Sequence, residues 1–210
     1  MTTPALRGIR KKLPGGMRPL FCVTLLLLVL SVATSAAAQP KAYTVASGRS
    51  QVMFEATYPL ANFTGTTEKV TGEFRINPDN VTQDITGSVT ITPSDLKTGL
   101  DGRDRDLKKA LETDTYREIR FRVQEVRTSF PSLAERADIT LQISGVMLIR
   151  GVERAITWTG RALIEEGMIW ARGEAELRMT DFGITPPRKL FLAVGESVRM
   201  SFDLRLAPKE

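Results

Sequence analysis

The chain has 210 residues, with 29 Lys and Arg against 24 Asp and Glu, a single cysteine and no histidine. Without histidine, Ser-His-Asp and Cys-His catalysis are excluded, and so are the ordinary zinc and haem sites that draw on His and Cys. The excess of positive charge belongs to one end: residues 1–38 hold five basic residues and no acidic one, so residues 39–210 carry 24 of each sign.

That first segment reads as a leader. Arg7, Arg10, Lys11, Lys12 and Arg18 precede an apolar run, Leu20–Leu30, and small residues follow, ending in Ala36-Ala37-Ala38. A positive start, a run too short to span a membrane comfortably and an A-x-A site make a secretory signal peptide. Cleavage is expected after Ala38, giving a periplasmic protein with no stable membrane span. Cys22 lies at the start of the apolar run, where a lipidated cysteine would have to follow it, and it leaves with the leader. The remaining chain has no net charge with which to collect phosphates, which argues against nucleic-acid binding. Its length fits one domain, residues 39–210, with a substantial core.

From Tyr43 onward apolar and polar residues alternate, the period of half-buried strands. Tyr43–Ser47 comes first, and Val52, Phe54 and Ala56 mark the next. Asn62-Phe63-Thr64 and Asn80-Val81-Thr82 match the glycosylation sequon, a triplet that chance supplies often. Val70, Gly72, Phe74 and Ile76 share a face, Asn77-Pro78-Asp79-Asn80 turns the chain, and Ile85, Gly87, Val89 and Ile91 share another. The period then changes. Leu107, Ala110 and Leu111 recur at spacings of three and four within Gly102–Glu112, with Asp101 as N-cap and Lys108 and Lys109 toward the C-terminal end, which predicts one short helix across a mouth of the fold.

Alternation resumes with Ile119, Phe121 and Val123, then Ile139, Leu141, Ile143, Gly145 and Met147. Arg150-Gly151 turns into Ile156, Trp158, Gly160 and Ala162, and Glu165-Glu166-Gly167 turns into residues 167–179. The last strand sets Val198, Met200, Phe202, Leu204 and Leu206 against Arg199, Ser201, Asp203 and Arg205. Eight or nine strands joined by hairpin-length links are antiparallel neighbours, in a sandwich or in a barrel whose closure removes exposed edges.

The dry faces include Ala56, Gly72, Gly87, Gly145, Gly160, Ala162, Ala171, Gly173 and Ala175. Small inward residues leave volume for a ligand, although glycines also relieve crowding where strands bend. The apolar side chains placed to line such a space are Phe54, Phe74, Ile91, Phe121, Leu141, Ile143, Ile156, Trp158, Met200 and Phe202.

Several segments together resemble the YceI-like polyisoprenoid-binding family. Arg103-Asp104-Arg105-Asp106-Leu107 and Tyr116-Arg117-Glu118-Ile119-Arg120-Phe121 are similar to its R-D-x-H-L helix and Y-P-x-I-x-F strand. Gly145–Val152 is similar to its G-x-L-T-I-x-G-V hairpin, and Asp181-Phe182-Gly183-Ile184 and Val194-Gly195-Glu196-Ser197-Val198 follow in the family's order. The likeness spans residues 42–207. Asp106, Arg49 and Thr57-Tyr58-Pro59 stand where the family has histidine, and Arg117 stands for its proline.

The resemblance implies an all-β fold, a closed antiparallel lipocalin-like barrel of about eight strands with one short helix. It also implies that the barrel encloses a polyisoprenoid or prenyl-quinone-type chain for sequestration or transport. Arg103 and Asp104 would touch a headgroup or fix the helix to the barrel. Glu165-Glu166 flanks a turn, no catalytic residue is assigned, no cofactor is implied, and the chain is read as non-enzymatic. An accessory envelope protein acting through a protein partner is the alternative, and a homodimer fits either reading.

Overall fold

The computed structural model describes residues 39–59, 61–134, 137–189 and 192–209. The leader read at residues 1–38 lies outside the described residues. In chain order the elements are β1 (Lys41–Val45), β2 (Gln51–Ala56), β3 (Phe63–Thr67), β4 (Val70–Ile76), β5 (Thr86–Ile91), α1 (Asp101–Leu111), β6 (Ile119–Arg127), β7 (Ile139–Ile149), β8 (Val152–Glu165), β9 (Met168–Arg178), a pair of two-residue strands β10 (Arg188–Lys189) and β11 (Leu192–Ala193), and β12 (Ser197–Pro208).

One antiparallel sheet runs β1-β4-β5-β6-β7-β8-β9-β12, and β12 pairs back onto β1, closing an eight-stranded barrel. Two of its eight positions are each built from two strands. β12 pairs with β1 through Leu206–Pro208 and with β2 through Val198–Asp203, so β1 and β2 are halves of one interrupted strand. β4 lies against β1 and β3 against β2 in the same way. The interruption, residues 46–50, is bridged at Arg205: its carbonyl accepts from the Ala46 N–H at 2.8 Å, and its N–H donates to the Ser50 hydroxyl at 3.0 Å. Buried Ser50 thus replaces a ladder bond that the excursion removes.

The tight hairpins follow from their residues. Arg150 and Gly151 both have positive φ (53° and 73°), as do Glu166 and Gly167 (52° and 75°), the pattern of a two-residue turn whose twist matches its strands. Between β6 and β7 the register shifts at Val123/Glu125, a bulge at Gln124 that keeps Val126 on the dry face and carries β6 on to Arg127. The alternation read at Ile119, Phe121 and Val123 holds up to the bulge, and the strand continues beyond it to Arg127.

The helix forms where its period placed it, with a different start. Leu100, not Asp101, is the N-cap, and no side chain caps it directly. Asp104 in the first turn instead ties the helix to the chain before it: its carboxylate accepts the Thr98 N–H at 2.8 Å and the Thr98 hydroxyl at 2.6 Å. Glu112 ends the helix in the left-handed conformation. Strand β3 is an addition to the sequence reading, which took its Phe63-Thr64 for part of a sequon. Among the described residues no helix is long and apolar enough to cross a membrane.

Candidate functional site

The barrel has two differently finished ends. Helix α1 lies over the end where β5 stops and β6 begins, turning Leu107, Ala110 and Leu111 toward the interior. Two loops close the other end: the Val81 N–H donates to Pro131 O and the Leu133 N–H to Pro78 O, both at 2.8 Å. Val81 and Leu133 are themselves buried and plug that end with apolar side chains.

Between these ends lie two chambers. The upper one, under the helix, has a volume of about 560 Å³, within the 300–1,000 Å³ typical of small-molecule sites. Its walls are apolar, and its rim carries Tyr58, Asp101, Arg103 and Asp106. The lower one is about 120 Å³, and its side chains are apolar throughout except for the indole N–H of Trp158. Val52, Ile91, Ile119 and Met200 line both chambers, so the two share one wall.

Nine of the ten side chains expected to line a cavity do so. Phe54 faces the upper chamber, Ile91 and Met200 both chambers, and Phe74, Phe121, Leu141, Ile143, Trp158 and Phe202 the lower. Ile156 lines neither. It sits opposite Gly145, on a stretch of β8 ahead of Thr159, where the ladder to β9 begins, and packs half-buried against the core. Alternation gives the face of a residue but not its height in the barrel.

The inward glycines do not make the cavity. Phe54 pairs with Gly65, Phe74 with Gly87 and Phe202 with Gly173 across their ladders, and each ring covers the place a glycine side chain would take. A β-carbon on Gly173 would stand 2.9 Å from the Phe202 ring, and one on Gly145 2.6 Å from Phe121. At Gly72 and Gly160 the obstruction is backbone, the carbonyls of Ser88 and Arg172. The reading that these glycines leave ligand space is therefore corrected: they make room for rings and for neighbouring strands. Of the inward alanines, Ala56 lines the upper chamber and Ala162 and Ala171 the lower, while Ala175 lines neither.

The helix was expected across a mouth, but its side chains were not read as lining, and the plug was not read at all. Leu107 and Ala110 were legible as the apolar stripe of a helix but not as chamber wall, and Phe63 sits in the unread strand β3. Val81 and Leu133 lie in irregular loops, where no period marks them.

The segments that carried the family resemblance converge on the helix end. The Arg103 guanidinium stacks over the Phe63 ring, 4.4 Å from its centroid. Asp104, only 8% exposed, is engaged by Thr98, with Lys97 Nζ at 3.8 Å. The Thr98 hydroxyl and N–H, with Lys97 and Lys108 nearby, hold its carboxyl below the usual range. Asp104 therefore fixes the helix rather than reaching a ligand, and Arg103 stays at the rim. Arg150 bridges the helix to the barrel, donating to the Glu112 carboxylate and to the Gly183 carbonyl. Glu196 takes bonds from Thr180 and Arg178, which hold its carboxyl below its ordinary value. Among the described residues no group of His, Cys, Asp or Glu is placed to hold a metal.

The family model of the YceI-like domain matches residues 43–206. No curated protein sequence matches the chain. Among solved structures, the fold is similar to that of Burkholderia cenocepacia BcnA, at 14% identity over 78% of this chain and 99% of that one, with a TM-score of 0.67. It is similar to a polyisoprenoid binding domain from Saccharophagus degradans implicated in plant cell wall breakdown, at 16% identity over 80% and 99%, with a TM-score of 0.62. The Campylobacter jejuni YCEI protein is similar at 14% identity over 71% and 86%, with a TM-score of 0.57.

Proposed function

Because the chain belongs to the family of YceI-like domains, we propose that its barrel holds a long isoprenoid chain, a polyisoprenoid or a prenyl-quinone-type lipid, and carries or sequesters it without covalent chemistry. One observation carries this reading: two apolar chambers share a wall and extend from the helix rim to the plugged end. Each methylene withdrawn from water contributes about 0.8 kcal/mol, so a prenyl chain needs no strong polar anchor. The binding of polyisoprenoid by a domain of the same fold supports the choice of lipid.

The proposal extends to the place of work. Residues 1–38 direct export and are cleaved after Ala38, and residues 39–210 act in the periplasm as a single domain, moving lipid between a membrane and a recipient.

Native mass spectrometry and organic extraction of the protein, purified from its own cell envelope, test this. A co-purifying prenyl lipid at near one per barrel is the expected result. An empty barrel bound tightly to a protein would overturn it and favour an accessory role through that partner.

A further inference from the structure

Trp158 lines the lower chamber, and among the described residues of that lining its indole nitrogen is the one polar side-chain atom. The residue is 3% exposed, and its Nε1–H has no hydrogen-bond partner among the described residues. Edge-to-face rings flank it, Phe121 at 5.8 Å and Phe202 at 5.1 Å between centroids. The contrast with the other indole is direct: Trp170 Nε1 donates to Asp203 at 2.7 Å. Buried N–H groups are nearly always paired, and leaving one unpaired is costly. A water molecule is a poor partner there, because a buried water needs two to four polar contacts and the other lining side chains offer none.

Resting on the lipid-binding reading above, we propose that Trp158 recognises the ligand. Its indole N–H donates to an uncharged oxygen, a carbonyl or hydroxyl, on the end of the lipid that lies deepest in the barrel. The direction follows from the architecture. The lower chamber is closed by Val81 and Leu133 and has about 120 Å³ against 560 Å³ above, so what reaches Trp158 is the leading end and not the bulk of a chain. Charge is excluded at that depth, because a phosphate among apolar side chains would be desolvated with a single donor to offset it. The hydrocarbon tail then fills the upper chamber and leaves by the rim, beside Leu100, which is 55% exposed.

The test uses three probes of one twenty-carbon isoprenoid skeleton: geranylgeraniol, its diphosphate, and the hydrocarbon lacking the oxygen. Calorimetric titration of the parent protein should show the alcohol binding roughly five- to tenfold tighter than the hydrocarbon, the worth of about one hydrogen bond, and tighter than the diphosphate. Trp158→Phe keeps an aromatic ring and removes the donor. It should bring the alcohol down to the hydrocarbon's affinity and leave the hydrocarbon unchanged.

A second readout needs no variant. In the ¹⁵N–¹H spectrum of the parent, the Trp158 indole resonance should move downfield on adding alcohol but not hydrocarbon, while that of Trp170 stays still. This spectrum decides the matter if Trp158→Phe fails to fold. Equal affinity for alcohol and hydrocarbon, tightest binding of the diphosphate, or a stationary Trp158 resonance overturns the assignment and leaves lipid binding standing. Failure of all three probes to bind removes the lipid reading together with it.

Discussion

The ring of Phe54 on β2 occupies the space that a side chain at Gly65 on β3 would fill. The pairing recurs at Phe74 over Gly87 and Phe202 over Gly173. A glycine weakens a strand by itself, and a ring laid over it from the neighbouring strand restores packing. Phe54 is thereby held as wall of the upper chamber, and the cavity takes its shape from where rings find glycines.

This coupling is measurable. Gly65→Ala should destabilise the protein by about 1–3 kcal/mol through overpacking against Phe54. In a Phe54→Leu background the same change should cost much less, since the obstructing ring is gone. Urea denaturation of the four proteins of the cycle gives the coupling, and additive losses would remove the pairing as the cause.

Chamber volume should be separable from stability. Ala110 on α1 lines the upper chamber, so Ala110→Phe projects a ring into ligand space. Lipid co-purification should be lost while folding stability falls by only about 0.5 kcal/mol, the helix-propensity difference. Ala175, opposite Met200 and lining neither chamber, should behave inversely. Ala175→Phe is expected to cost about 1–3 kcal/mol, and whatever folds should retain lipid. Loss of lipid in both variants or in neither contradicts the assignment of the walls.

The helix is tied at its C-terminal end by Arg150. Removing it in Arg150→Ala deletes the bonds to Glu112 and Gly183. Hydrogen exchange of the α1 amides should accelerate by a factor corresponding to roughly 1–2 kcal/mol, with the β7, β8 and β9 ladders unchanged. Arg150→Lys should not restore protection, because an ammonium lacks the planar fork that reaches two acceptors. Full protection in the lysine variant would show that charge alone suffices.

Asp104 sets a pH dependence at the other end of the helix. Its carboxyl is held below the usual range by the Thr98 hydroxyl first, then the Thr98 N–H, with Lys97 and Lys108 assisting. A carboxyl depressed in the folded state stabilises fully above its unfolded value of about 3.9, and that contribution is lost as pH falls through the folded value. The stability difference between the parent and Asp104→Asn should therefore be largest near neutrality and shrink in acid below about pH 4. Urea midpoints for both proteins across that range check the sign, and a difference that grows in acid contradicts it.

Most of the barrel was legible because each long strand has one wet and one dry face, and period two records that directly. Turns were legible where residue type fixes geometry, as at Arg150-Gly151 and Glu166-Gly167. β3 was not: its inward positions are Phe63, Gly65 and Thr67, with one large apolar side chain among them. The chamber walls were legible as a set of faces, which is why Phe74 and Leu141 line a chamber while Ile156, on the same inward parity, lines neither. Which ring covers which glycine depends on register between strands far apart in the chain, as for Gly173 and Phe202, and no local pattern encodes it.

The closing ladder joins the first strand to the last, Tyr43 opposite Pro208. Until β12 pairs, β1 and β4 to β9 can exist only as a curled open sheet with two bare edges, the β2–β3 hairpin has no ladder to join it, and β12 alone seals both. Such a fold is all-or-none in time as well as in energy: its longest-range contacts come last, which slows folding and leaves the edges open to other strands until then. Loss of a few residues from β12 would cost a seam rather than a strand, leaving the partly closed chain prone to swap edges with its own copies.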